Sequence, residues 1–203
     1  MSTQPDLHLA EQVLQPARGT NVFESTVEQL ATAIRLGVFV DGDQLPAERD
    51  LAERLGVARN TLREAIAALR EGGLVETTRG RSGGSVVTYP GPVLAAAGSP
   101  RPRVGPALED ALDFRRVVEP GAARLAALNP LSGSQRAWLV EAAAEVRAAP
   151  TDSAHRLADS RLHLAIATAS GSPMLIESVT RAQAALGPLL EAIPVPDPTV
   201  RPA

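Results

Sequence analysis

The stretch GVARNTLREAIAAL, residues 56–69, places Arg59, Asn60, Thr61 and Arg63 at the front of a helical run, just after a glycine. Arginine can donate two parallel hydrogen bonds to guanine O6 and N7, while asparagine and threonine suit adenine edges or phosphate oxygens. With Leu62 taken as inward and about 100° per residue, Ile66 and Leu69 stay on the inner face, and Asn60, Arg63 and Glu64 point outward. A solvated face paired with nearby acids is the other reading, and spacing alone leaves both open.

Two more pairs lie in the second half of the chain. Leu108, Leu112, Arg115, Glu119, Ala122 and Ala126 fall within about 40° of one direction on a helical wheel, so an arginine–glutamate pair rides an apolar face. It either fixes helix register as an internal ion pair or offers Arg115 to a ligand carboxylate as a two-pronged donor. In HRLADSRLHLAIATASGSPML, residues 155–175, Asp159 and His163 are about 6 Å apart along the helix axis, within reach of one divalent metal ion such as zinc. His155, about 12 Å from His163 on the same rise, cannot join them. A hydrogen-bonded aspartate–histidine couple in the core explains the spacing as well.

The elements that must hold these groups follow from periodicity. Residues 1–20 are polar and aperiodic and read as a mobile arm. Phe23, Val27, Leu30 and Ile34 recur at helical spacing up to Gly37; Leu51, Ala52 and Leu55 mark a short helix ended by Gly56; a third helix runs to about Glu71. The runs LVETT and SVVTY flank a glycine-rich turn and predict a hairpin. Residues 21–90 thus form one compact unit of three helices and a hairpin. Residues 91–106 have linker composition, and residues 107–193 give four alanine-rich helical segments, roughly 107–128, 132–148, 152–169 and 173–192. Residues 194–203 read as a flexible tail.

Composition sets limits. Among 203 residues there is no cysteine, which excludes disulfides and thiolate metal sites. No stretch approaches about 18 uninterrupted apolar residues, so a cytoplasmic address with no membrane contact is expected. All 20 positive charges are arginine and the net charge is −3, so nucleic-acid binding must rest on local placement. Aromatics make up 2%, which argues against base-stacking readers of single strands.

Helix, glycine turn and helix over residues 50–71 fit a helix-turn-helix whose second helix enters the major groove. The following RGRSGG places Arg79, Gly80 and Arg81 at a wing tip, where backbone N–H groups and guanidinium can meet phosphate or the minor groove. The run PAERDLAERLGVARNTLREAIAALREGGLVETTRGRSGGSVV closely resembles the winged helix-turn-helix of GntR-type bacterial transcription regulators, over about residues 22–90. The resemblance implies DNA contacts by Arg49, Arg59, Asn60, Thr61, Arg63, Gly80 and Arg81. Ala58 stands where the family usually has serine or threonine, which removes a side-chain N-cap and one phosphate contact.

FRRVVEPGAARLAA, and DSRLH followed by ASGSPML, are similar to the all-helical FCD effector domain of the FadR subfamily. That likeness implies an effector contact by Arg115 and a metal site supplied in part by Asp159 and His163. The family's two further histidines have no counterpart, since the chain holds only His8, His155 and His163. The fold expected is therefore mainly α, a winged helix-turn-helix joined to an antiparallel helical bundle that looks incomplete at its C-terminal end. The function expected is a homodimeric regulator, read as a repressor, on a palindromic double-stranded operator, tuned by a small organic acid. A DNA-binding module without ligand or metal sensing is the alternative, and a metal-dependent hydrolase is a remote one, since no third protein ligand, general base or nucleophile is apparent. An enzyme is not expected.

Overall fold

The computed structural model describes residues 7–17, 21–78, 84–92 and 105–190. Gly80, Arg81 and the expected tail at 194–203 lie outside them. The order is α1 (Leu7–Val13), α2 (Val22–Arg35), α3 (Glu48–Leu55), α4 (Arg59–Glu71), β1 (Val75–Thr78), β2 (Gly84–Val87), α5 (Pro106–Leu128), α6 (Gly133–Ala148), α7 (Asp152–Ala169) and α8 (Pro173–Leu190). No described helix is long and apolar enough to cross a membrane.

The helix boundaries have local causes. Asn21 accepts from the Glu24 N–H at the start of α2, Ser132 and Gln135 form a reciprocal capping box on α6, and Thr151 accepts from Ala154 on α7. Gly56, at φ 64°, ends α3 in the left-handed region that a side chain would resist. β1 and β2 pair antiparallel with Val75 opposite Val87 and Thr78 opposite Gly84. The segment 42–45 runs along the other edge of β2: Leu45 N–H donates to Ser85 O and Val87 N–H to Asp43 O, both at 2.8 Å. The wing is thus tied on both sides to the helical unit that carries α4. Asp43 closes that turn by accepting from the Val40 N–H, and burial pushes its carboxyl pKa up.

α2 packs on α4, α3 on α4, and α5, α7 and α8 on one another, with α6 along α7. A single buried cluster runs from Leu30, Phe39, Leu55 and Leu62 through Leu9 and Leu14 to Leu164, Ile176 and Val179. It includes a departure from the expected mobile arm. Over residues 7–17 the chain instead forms α1 and a short extension, and these pack on α7 and α8 with Leu9, Ala10 and Leu14 buried. Such a short helix is unstable alone, so its pattern is too brief to register in the sequence, and only the tertiary groove stabilises it. Ala17 N–H donates to Leu55 O at 2.8 Å, Gln15 N–H to Gln29 Oε1 at 3.0 Å, and Arg54 Nη2 to Glu11 Oε1 at 3.1 Å. Residues 7–17 therefore strap α2 and α3 to the far helices.

Candidate functional site

In the N-terminal unit, Leu62, Ala65, Ile66 and Leu69 are buried and hold α4 to α2 and α3. Arg59, Asn60, Arg63 and Glu64 are exposed, and Thr61 is half-buried. The N-cap is Ala58 in extended conformation, with no side-chain hydrogen bond to the helix start. Its first N–H groups are left for an outside acceptor, and the positive end of the helix dipole favours an anion there.

Arg63 is not paired with Glu64. Its Nε donates to Glu48 Oε2 on α3 at 2.8 Å, and Arg49 Nε donates to Asp50 Oδ1 at 2.9 Å. All four side chains are well exposed, between 44% and 71%. Exposed pairs of this kind contribute about 0.2–1 kcal/mol, so phosphate or a base edge can replace the carboxylates at small cost.

A second polar cluster sits where α5, α7 and α8 meet. Arg115 Nε donates to Glu119 Oε2 at 2.7 Å, and Arg115 Nη2 lies 2.8 Å from His163 Nε2. His163 Nδ1 is 3.3 Å from Glu119 Oε2, and its Nε2 is 3.6 Å from Asp159 Oδ1. Gln183, 4% exposed, donates from Nε2 to the other Glu119 oxygen at 2.7 Å. Ser160 Oγ lies 3.4 Å from Gln183 Oε1. Burial would by itself raise the Asp159 carboxyl pKa, but adjacent His163, then Arg115 and His155, outweigh it and hold the group below its ordinary value. His155 turns away, with Nδ1 3.1 Å from the Val146 carbonyl on α6.

The cluster brings Arg115, Asp159 and His163 together, and its members line two cavities. A groove of about 410 Å3 is lined by Arg115, Glu119 and His163, together with Leu112, Ile166 and Val179. Asp159 lines a different cavity, with Ser160 and Gln183. Arg115 is paired with Glu119 and also lines the groove.

Residues 23–84 match the bacterial regulatory proteins of the gntR family, and residues 110–201 match the FCD domain. The chain belongs to the GntR family. This GntR-family chain is 39% identical over 154 residues to an uncharacterized HTH-type transcriptional regulator of Mycobacterium tuberculosis, covering 72% of this chain and 61% of that one. It is 34% identical over 167 residues to the Glc operon transcriptional activator of Escherichia coli, covering 76% and 63%. The chain thus spans less than two thirds of the length of these relatives. The solved structure of E. coli McbR/YncC aligns over 87% of this chain and 78% of its own, at 22% identity and a TM-score of 0.40.

In this GntR-family chain the donors do not fit a resident divalent ion. The guanidinium of Arg115 occupies the position beside His163 Nε2 from which that nitrogen would bind one, and a second cation there is repelled. Among the described residues no three His, Cys, Asp or Glu side chains are grouped to hold a metal. Of the expected ligands, His163 lies against Arg115 and Asp159 lies 3.6 Å from His163. Sequence reading missed Gln183 and Ser160. The available signal was a lone amide in the apolar stripe Ile176, Val179, Gln183, Leu186, where a buried amide requires partners.

Proposed function

We propose that the chain is a DNA-binding transcription regulator that reads double-stranded DNA with α4 and the wing, and whose grip responds to a small carboxylate at Arg115. The carrying observation is the uncapped, exposed front of α4 within a gntR-family unit. Arg59, Asn60, Thr61 and Arg63 face the groove floor in this reading; Arg49, with Gly80 and Arg81 of the wing, holds the backbone.

The chain acts as a homodimer on a palindromic operator. Support comes from the apolar side chains on α5 and α6 that stay exposed, Val117 at 74%, Leu128 at 71% and Val140 at 66%, which a second copy would cover. Repression by occupying the operator is the sign proposed, although the E. coli relative is named an activator. A cytoplasmic setting follows from the DNA partner. The decisive experiment is selection of DNA from a random pool, followed by anisotropy titration of the recovered palindrome across salt. Saturable binding at least about a thousandfold tighter than to random DNA is expected. Equal affinity for both would sink the reading.

One observation favours a second reading, a regulator without sensing. Arg115 is already satisfied by Glu119 and His163. Operator affinity indifferent to every small carboxylate, in the native chain and in Glu119→Gln alike, would establish it.

A further inference from the structure

A third cavity, of about 340 Å3, lies where the strap, α2 and α8 come together. The strap contributes Gln12 and Gln15, α2 contributes Ser25 and Glu28, and α8 contributes Glu177 and Arg181. Arg115, Asp159 and His163 take no part in its lining. The walls are braced by the packing around them. Leu14 is 2% exposed, α1 packs on α8, and Gln15 N–H donates to Gln29 Oε1 on α2 at 3.0 Å. Gln15 Nε2 donates in turn to Gln12 O at 2.8 Å.

The charged residues of the lining are Glu28, Glu177 and Arg181. All three are exposed, and none makes an ion pair or side-chain hydrogen bond with a described residue. For two of them this is unexpected. Glu177 and Arg181 have the i, i+4 spacing and the order at which a glutamate and an arginine on one helix usually pair. Both line the cleft, about 6 Å apart along the axis at 1.5 Å per residue. Two carboxylates and one guanidinium are complemented by a ligand with two cations and one anion. A cation acceptor beside a two-pronged carboxylate donor on the same helix suits the head of an α-amino acid, ammonium to Glu177 and carboxylate to Arg181. Glu28, from another helix, is left for a second cation.

We infer that this cleft binds a free amino acid with a cationic side chain, its head on α8 and its side-chain ammonium on Glu28 of α2. Each exposed charge contact is weak alone, so recognition requires the three together. The site is separate from the Arg115 groove and does not depend on what that groove binds. A ligand held this way joins α2 of the N-terminal unit to α8 of the helical domain, and favours the arrangement in which the two helices stay together.

Calorimetric titration of the full-length chain, at constant ionic strength, compares lysine with cadaverine, which lacks the carboxylate, and with norleucine, which lacks the side-chain ammonium. Lysine is expected to bind saturably and at least about fivefold tighter than either. Glu28→Gln should erase the advantage of lysine over norleucine and keep its advantage over cadaverine; Arg181→Gln should do the reverse. Both side chains are exposed, so neither variant disturbs the core, and a general loss of structure would not exchange one preference for the other. No saturable binding of lysine, or equal affinity for the three compounds, overturns the inference. So does a preference for lysine that survives unchanged in both variants, which places it elsewhere on the protein. The titration contains no DNA, so its failure leaves the reading of α4 standing.

Discussion

Arg115 Nη2 lies 2.8 Å from His163 Nε2, joining α5 to α7, while its Nε holds Glu119 at 2.7 Å on its own helix. One guanidinium thus serves a carboxylate and an imidazole, and an incoming acid must take the place of Glu119. Glu119→Gln removes that internal competitor. The variant is expected to bind small carboxylates more tightly than the native chain, read by calorimetry; weaker binding would mean that Glu119 is part of the ligand's own contacts.

Removing the arginine has a structural cost as well. Arg115→Ala leaves Glu119, 14% exposed at its side chain, without its cationic partner. A loss of about 1–3 kcal/mol is expected in urea unfolding, below the figure for fully buried pairs because Gln183 and His163 still contact Glu119. A loss under half of that would show that the pair fixes geometry and adds little stability.

Acid should dismantle the cluster in a definite direction. Asp159 has a folded pKa below its ordinary value of 3.8, because His163, Arg115 and His155 outweigh burial. Its stabilisation is therefore complete above about pH 4 and is lost as pH falls through the lower folded value. Asp159→Asn should melt below the native chain at pH 7, and the gap should close below pH 4. A gap that widens in acid would contradict the sign.

Ala58 leaves the start of α4, the proposed reading helix, without a side-chain cap. Ala58→Ser is expected to add about 0.5–1 kcal/mol of stability and to tighten operator binding through one more phosphate contact. Arg63→Ala should cost about 1–3 kcal/mol of binding to the selected operator. Glu48→Ala, which only releases Arg63, should leave binding unchanged or stronger.

The strap gives a test of the link between the two units. Leu9 is fully buried, and Leu9→Ala should destabilise the protein by about 2–4 kcal/mol, measured by denaturant unfolding. A mobile arm would give no measurable change.

Periodicity was enough to place most of the helices within a few residues. The inner stripe Leu62, Ile66, Leu69 and the turn at Gly56 are local patterns, and a local pattern survives in the sequence. The polar front of α4 was legible for the same reason, since residues within one turn share a known geometry. Arg115 with Glu119, and Asp159 with His163, were visible as pairs at i, i+4.

What stood beyond reach was which pairs meet. That Arg115 reaches His163, 48 positions away, and that Gln183 reaches Glu119, 64 positions away, depends on how α5, α7 and α8 cross. The same holds for α1, whose seven residues carry too little free energy to declare a helix until α7 and α8 supply a groove for Leu9 and Leu14. Sequence alone determined the elements and their chemistry, because these rest on neighbours in the chain. Tertiary structure decided that Arg115 meets His163, because that contact rests on a side chain brought in from another helix.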